Sequence, residues 1–222
     1  MTELDSFNDK LLEGTSRSFY LTLKRLPKSV KGQIGLLYLL ARISDTIADS
    51  GDSGGEDLLE LLQDYNNRAQ GHSDSMPDFS NLSDVQENPA EGLLLRGAHG
   101  PIELLEKASV VDQELIRKCL DIIVSGQRMD LERFSDKDGS GIGSLSRYEE
   151  MDDYAYRVAG SVGEFWTEIC LEHAFEASAE MKEELMSSGV RFGKALQLIN
   201  ILRDIPEDLE IGRCYIPTDD LE

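Results

Sequence analysis

Two stretches of this chain, far apart in sequence, repeat one pattern: an apolar helical stripe that runs out into a pair of aspartates four residues apart. In residues 27–49, PKSVKGQIGLLYLLARISDTIAD, the residues Val30, Ile34, Leu37 and Ala41 recur at helical spacing. Tyr38, Arg42, Asp45 and Asp49 occupy the adjoining stripe at offsets 0, 4, 7 and 11. In residues 193–217, GKALQLINILRDIPEDLEIGRCYIP, the apolar positions are Leu196, Ile199 and Leu202, with Ala195 a weaker fourth. Gln197, Asn200, Asp204 and Asp208 share a stripe at offsets 0, 3, 7 and 11. Such offsets stack side chains on one helix face, with neighbours about 5–6 Å apart. Taken alone, either acidic end reads equally well as a solvated face. Taken together, they put four carboxylates beside apolar stripes, which is costly to bury unless a cation compensates the charge. Two such pairs facing each other make a hard-oxygen site of the kind Mg²⁺ prefers, with carboxylates, waters and phosphate oxygens around the ion. An apolar cavity capped by Mg²⁺ suits a hydrocarbon substrate with a diphosphate head.

The rest of the chain points to one all-α domain. No period-two strand pattern persists and no internal repeat is present. Helical patterns are expected over residues 3–13, 56–66, 101–107, 110–134, 147–172 and 174–187, before the last motif helix. Residues 66–92 are rich in Asn, Ser, Asp, Pro and Gly and read as a loop enclosing at most a short helix. Residues 135–144 read as a second loop. On the helix at 110–134, Ile116, Leu120, Ile123 and Gln127 share a stripe. Gly126 leaves room for a neighbour or a ligand, and Asp130 faces either the cavity or, the preferred reading, solvent. At 222 residues the chain is long enough to bury a sizeable core. Its 43 acidic against 22 basic residues, net −21, disfavour nucleic acid and an electrostatic grip on anionic lipid. They do not disfavour anionic substrates that arrive with divalent cations. Cys119, Cys170 and Cys214 are scattered, without metal-ligand spacing, and read as reduced thiols in a cytoplasmic protein. His72 and His99 have no partner at ligand spacing. The acidic N-terminus is no signal peptide, and the longest apolar run, IGLLYLL, is too short to span a bilayer.

Four segments in order, SRSFYLTLKRLP (16–27), YLLARISDTIAD (38–49), YAYRVAGSVGE (154–164) and ALQLINILRDIPEDLEIGRCYIP (195–217), resemble the squalene/phytoene synthase family of head-to-head prenyl transferases. The first aspartate motif, DTIAD, is closer to the squalene-synthase form than to the DDxxD of many phytoene synthases. The resemblance implies the isoprenoid-synthase fold, a helical bundle around a central cavity. It also implies Mg²⁺-dependent condensation of two farnesyl diphosphates through a cyclopropyl diphosphate to squalene, with hydride from NADPH. Peripheral membrane contact would serve product release. A phytoene- or dehydrosqualene-type product, a terpene cyclase and a non-catalytic prenyl-lipid-binding subunit are the alternatives.

The same resemblance assigns roles. Asp45, Asp49, Asp204 and Asp208 are the expected Mg²⁺ ligands. Arg42, Gln197, Asn200 and Arg203 bind or orient diphosphate, and Ser16 and Ser18 lie beside it, where their hydroxyls equally suit helix capping. Thr15 stands where many relatives have histidine. Phe19, Tyr38 and Val158 line the prenyl tunnel. Tyr154 sits by the reacting carbons as a proton-transfer group or cation-facing ring, and Arg213 and Tyr215 close over the site. Ala159, Gly160 and Gly163 mark either a cavity wall or tight helix packing. Pro206 is expected to kink or end the last helix, so that Glu207 stands in for a displaced Asp208. The chain stops where relatives continue, so the apolar row Leu196, Ile199, Leu202, or Val158 and Val162, is expected to be partly exposed.

Overall fold

A computed structural model describes residues 3–16, 18–50, 55–134 and 141–219, with the side chains of residues 3–9, Ser18, Gly55 and Glu56 outside that description. The order is α1 (Glu3–Ser16), α2 (Ser18–Arg25), α3 (Lys28–Ala48), α4 (Gly55–Gln70), α5 (Ser80–Asp84), α6 (Pro89–Arg96), α7 (His99–Lys107), α8 (Val110–Phe134), α9 (Tyr148–Ala155), a π-helical turn (Tyr156–Gly160), α10 (Ser161–His173), α11 (Ala179–Arg203) and α12 (Ile205–Glu210). Among the described residues the sheet is limited to β1 (Gly143–Ser144) paired in parallel with β2 (Arg213–Cys214). The all-α expectation therefore holds. No described helix is long and apolar enough to cross a membrane.

Helix α3 is the hub, packed against α1, α2, α4, α6, α7, α8 and α10. A helix that is apolar nearly all round has to be buried, and Leu39, Leu40, Ile43 and Ile47 are each at most 1% exposed. Each such side chain contributes about 1.5–3 kcal/mol on burial. The buried Tyr65 hydroxyl beside it donates to the Leu40 carbonyl at 2.8 Å. This rigid seat fixes the helix end that carries Asp45 and Asp49.

The second half of the site rests on the crossing of α10 and the π-helical turn with α11. A Cβ on Gly163 would fall 2.0 Å from the Gly189 carbonyl oxygen, and one on Gly193 would fall 2.1 Å from that of Ala159. Only glycine permits backbones this close. Of the two readings left open for Ala159 and Gly163, tight helix packing is the one observed. Gly126 of α8 likewise admits a neighbour, since a Cβ there would meet Val158 and Arg157 at 2.9 and 3.0 Å.

Several boundaries differ from expectation, and three of the differences bear on the site. Residues 174–187 are not a separate helix. Ser178 caps a single α11, accepting from the Met181 amide at 3.3 Å, and the helix runs to Arg203. The polar segment 66–92 is more ordered than its composition suggests. It holds the end of α4, then α5 and α6, the last capped by Asn88, whose side chain accepts from the Ala90 amide at 3.0 Å. Pro206 does end α11, but it also begins α12, where its missing N–H costs nothing. The expected exposure of the α11 row is observed at Phe192, Leu196, Ile199 and Leu202, which are 47–66% exposed, whereas Val158 and Val162 are half-buried.

Candidate functional site

The ends of α3 and α11, the start of α12, the middle of α8, the π-helical turn and β2 converge on one cavity of about 590 Å³. Both aspartate pairs line it, with Arg42, Gln197, Asn200, Arg203, Arg213, Tyr38, Tyr154, Val158 and Tyr215. Its apolar wall is Ala41, Ala48, Ile123, Leu131, Val162 and Ile201 together with Val158. A volume in the usual ligand-pocket range of about 300–1,000 Å³, apolar on one side and acidic on the other, suits an amphipathic ligand.

The geometry explains how each side chain is held. Arg42 donates to Asp45 Oδ2 at 2.5 Å and to Glu91 Oε1 at 2.6 Å. Withdrawal from bulk water, with the charge of Asp49 behind it, pushes Asp45 up to about 6. Asp49 is also raised by its surroundings, against the pull of Arg213 and Arg42. At the other pair, Arg203 grips Asp204 through two bonds of 2.6 Å and holds its carboxyl below the usual range. Asp208 is raised, first by desolvation and then by Asp204. The Asp208 amide donates to the Asp204 carbonyl at 2.9 Å, so the two keep helical register across Pro206. Asp208 therefore lines the cavity and exposed Glu207 does not replace it.

Among the described residues no three acidic, histidine or cysteine side chains stand close enough to hold a metal ion by themselves. The site offers paired carboxylates with raised pKa around a shared space instead. That donor set fits Mg²⁺, which takes one or two carboxylates and fills its octahedron with water and substrate phosphate.

A family model for squalene/phytoene synthases matches residues 12–222. The chain belongs to the squalene/phytoene synthase family. A bifunctional lycopene cyclase/phytoene synthase of Gibberella fujikuroi is 30% identical over 212 residues, covering 93% of this chain and 34% of its own length. The 15-cis-phytoene synthase of a Synechocystis species is 28% identical, covering 93% of this chain and 53% of its own. The chain thus spans a third to a half of these relatives. Among solved structures, a ligand complex described as TcSQS superposes with a TM-score of 0.77 at 21% identity, over 98% of this chain and 59% of that one. A dehydrosqualene synthase with ligand gives 0.58 at 22%, over 99% and 62%. These two show the shared isoprenoid-synthase fold.

Set beside the family's motifs, two expected contacts among the described residues, Ser16 and Phe19, are absent from the cavity lining. The Ser16 hydroxyl is buried and donates to the Leu12 carbonyl within α1, and Thr15 does the same to Leu11 at 2.7 Å. Ser16 neither caps α2 nor reaches the cavity. The side chain of Ser18 lies outside the described residues. Phe19 packs on Tyr38 with ring centroids 5.3 Å apart, supporting a lining residue without lining the cavity itself. Tyr38 in turn donates to the Thr15 carbonyl at 2.9 Å. Arg213 and Tyr215 do not close over the site as a cover but form part of its wall. Tyr215 is buried, stacked on Tyr154 at 4.7 Å, and donates to Asp130 at 2.7 Å. For Asp130 the less favoured of the two readings is the one observed. It lines the cavity rather than facing solvent. Its offset of three from Gln127, already on the buried stripe, was the available signal.

Proposed function

We propose that the protein condenses two prenyl diphosphates head to head in a Mg²⁺-dependent reaction, with farnesyl diphosphate as substrate, a cyclopropyl diphosphate as intermediate and a C30 hydrocarbon as product. The observation that carries this reading is the convergence of both aspartate pairs on one cavity with an apolar wall. Asp45, Asp49, Asp204 and Asp208 would hold the ion, which when bound neutralises diphosphate and turns it into a leaving group. Arg42, Arg203, Gln197 and Asn200 offer donors to phosphate oxygens. Val158, Val162, Ile123, Leu131 and Ile201 would enclose the prenyl chain and keep water from the allylic cation. Tyr154, in the wall, presents a phenol to that cation. If the product is squalene, a hydride from NADPH completes the reaction. A cytoplasmic chain that hands its hydrocarbon to a membrane surface would complete the picture.

A second reading is favoured by the sequence relatives, which are named phytoene synthases. On it, the longer geranylgeranyl diphosphate is the substrate, the product is a C40 hydrocarbon and no reductant is used. One experiment separates the readings. The protein is incubated with Mg²⁺ and labelled farnesyl or geranylgeranyl diphosphate, with and without NADPH, and the products are resolved by chain length. A C30 product from farnesyl diphosphate supports the first reading and a C40 product the second. A cyclised C15 product, or none, overturns both in favour of a terpene cyclase or a prenyl-binding subunit.

A further inference from the structure

Head-to-head condensation has a proton to dispose of. As the double bond of the acceptor chain attacks the allylic cation, a tertiary cation results. Closing the cyclopropane ring converts a neighbouring C–H bonding pair into the new C–C bond and releases H⁺. That proton needs an acceptor inside the cavity.

The structure holds one that the metal-site reading does not use. Asp130, on α8, accepts from the Tyr215 hydroxyl at 2.7 Å and is coupled to the Tyr154 phenol. The two rings are stacked with centroids 4.7 Å apart and planes 18° apart, and Phe134 meets Tyr215 edge-on at 5.4 Å. The phenols are thus fixed in place by ring packing, with Asp130 as their common partner. A phenol that donates its own proton to a carboxylate becomes a better acceptor through its free lone pair, because hydrogen bonds in a chain polarise one another. Burial pushes Asp130 up to about 6, so it is ionised near neutrality yet close to the range useful for taking up a proton. Tyr154, by contrast, is raised well above its ordinary value and cannot act as a free phenolate. A separate observation points to a ligand at the same wall. Gln127, one turn before Asp130 and only 9% exposed, lines the cavity with a side-chain oxygen that has no hydrogen-bond partner. An orphaned buried acceptor of this kind is costly in the empty protein, and its negative dipole end suits a cationic ligand.

We propose that Asp130, acting through Tyr154, receives the proton lost when the cyclopropane ring closes. The inference rests on the condensation reading. The substrate proton passes to the Tyr154 oxygen as the Tyr154 hydroxyl proton passes to Asp130. The phenol is unchanged, the carboxylate becomes a carboxylic acid, and the released diphosphate or water resets it between turnovers. Asp130 is accordingly a positioning residue that aims the phenol and terminates its proton path.

The test compares wild type, Asp130→Asn, Asp130→Glu, Tyr154→Phe and the double variant Asp130→Asn/Tyr154→Phe. Two quantities are read with labelled prenyl diphosphate and Mg²⁺: released diphosphate, which reports ionisation, and condensed product. Asp130→Asn is expected to lower the ratio of condensed product to diphosphate at least about tenfold, at the low end of what general acid–base groups contribute. Prenyl alcohol, formed when water captures the cation, should take the place of the condensed product. Asp130→Glu should recover part of the ratio, and the double variant should fall within about twofold of Tyr154→Phe, since both changes cut one path. Melting curves verify the fold, and if Asp130→Asn does not fold, Asp130→Glu and Tyr154→Phe decide alone. An unchanged ratio, a proportional loss of both quantities, or a double variant showing the product of the single effects overturns the proposal. Wild type that condenses while Asp130→Asn keeps its ratio removes this inference alone; wild type that never condenses removes the condensation reading and the inference with it.

Discussion

The two aspartate pairs look alike in sequence and stand on helices in opposite surroundings. Asp45 and Asp49 end a helix whose Leu40, Ile43 and Ile47 are 0% exposed; both carboxyls are raised, first by desolvation and then by neighbouring carboxylates, Asp49 in the case of Asp45 and Asp130 and Glu91 in the case of Asp49. Asp204 caps the end of a helix whose Leu196, Ile199 and Leu202 are exposed, and Asp208 lies in the short α12 that follows; Asp204 is held low by an open ion pair with Arg203. The first pair is carried by a helix fixed in the core, although Asp45 itself is partly exposed and Asp49 exposed. The other lies on a solvated helix junction, where its charges are cheap. The same DxxxD spacing is therefore a preorganised site at one end of the cavity and an adjustable one at the other.

The largest effect that tests this contrast is on turnover and stability together. Asp45→Asn and Asp204→Asn are each expected to lower turnover about 10³-fold or more, the scale of several kcal/mol of lost charge stabilisation. Their stabilities should diverge. In the fold Asp45 rises from 3.8 to about 6, so between those values the folded state binds more protons than the unfolded chain. Apo stability is then highest below about pH 4 as far as this group is concerned, and is lost as pH rises through 6. Asparagine removes that penalty while Arg42 keeps Glu91. Asp45→Asn should therefore raise the apo melting temperature at pH 7 and flatten its dependence between pH 4 and 6. Asp204→Asn should leave it unchanged, as exposed pairs contribute little. Calorimetric melting in chelator checks both, and equal shifts for the two variants would erase the distinction.

A smaller effect concerns ligand binding. With four carboxylates facing the cavity, bare diphosphate is repelled, so inorganic diphosphate should bind at least about tenfold more weakly in excess chelator than in millimolar Mg²⁺, a difference of about 1.4 kcal/mol. Titration calorimetry measures it. Equal affinity in both conditions would mean that the arginines alone hold the anion and that neither pair is a metal site.

Why one supporting helix is buried and the other exposed was not legible in sequence. Both helices carry apolar stripes at helical spacing, and periodicity reports that a face is apolar, not whether anything covers it. On α3 the clue was its near-continuous apolar circumference. On α11 the crossing uses Gly189 and Gly193 rather than the leucine row, so the buried face is the one with small residues. Long periodic segments such as α8 were legible to the residue. The four-motif order was enough for the family. Asp130 was ranked as solvent-facing because a carboxylate on a helix is usually solvated, and its partners Tyr154 and Tyr215 come from elements distant in sequence. Ser16 failed for the opposite reason: a serine near a helix start in sequence turned out to close the last turn of the preceding helix.

The smallest effect concerns the exposed row itself. Phe192, Leu196, Ile199 and Leu202 recur along one side of α11 and are roughly half to two-thirds exposed. A contiguous apolar patch of that kind favours association, but a net charge of −21 opposes it between identical chains. Salt decides which wins, since the screening length falls from about 30 Å at 0.01 M to about 3 Å at 1 M. These 222 residues should therefore be monomeric at low salt and self-associate as sodium chloride is raised, as followed by light scattering. Replacing Leu196 and Leu202 with glutamate should abolish the association with a stability change within about 0.5 kcal/mol per site, the usual range for surface positions. Leu40→Glu, made on the buried counterpart, should instead prevent folding, because it places an unpaired charge in a fully buried position. If the two glutamates on α11 destabilise the fold as strongly as the one on α3, the row is core after all, and the two aspartate pairs sit on equally rigid supports.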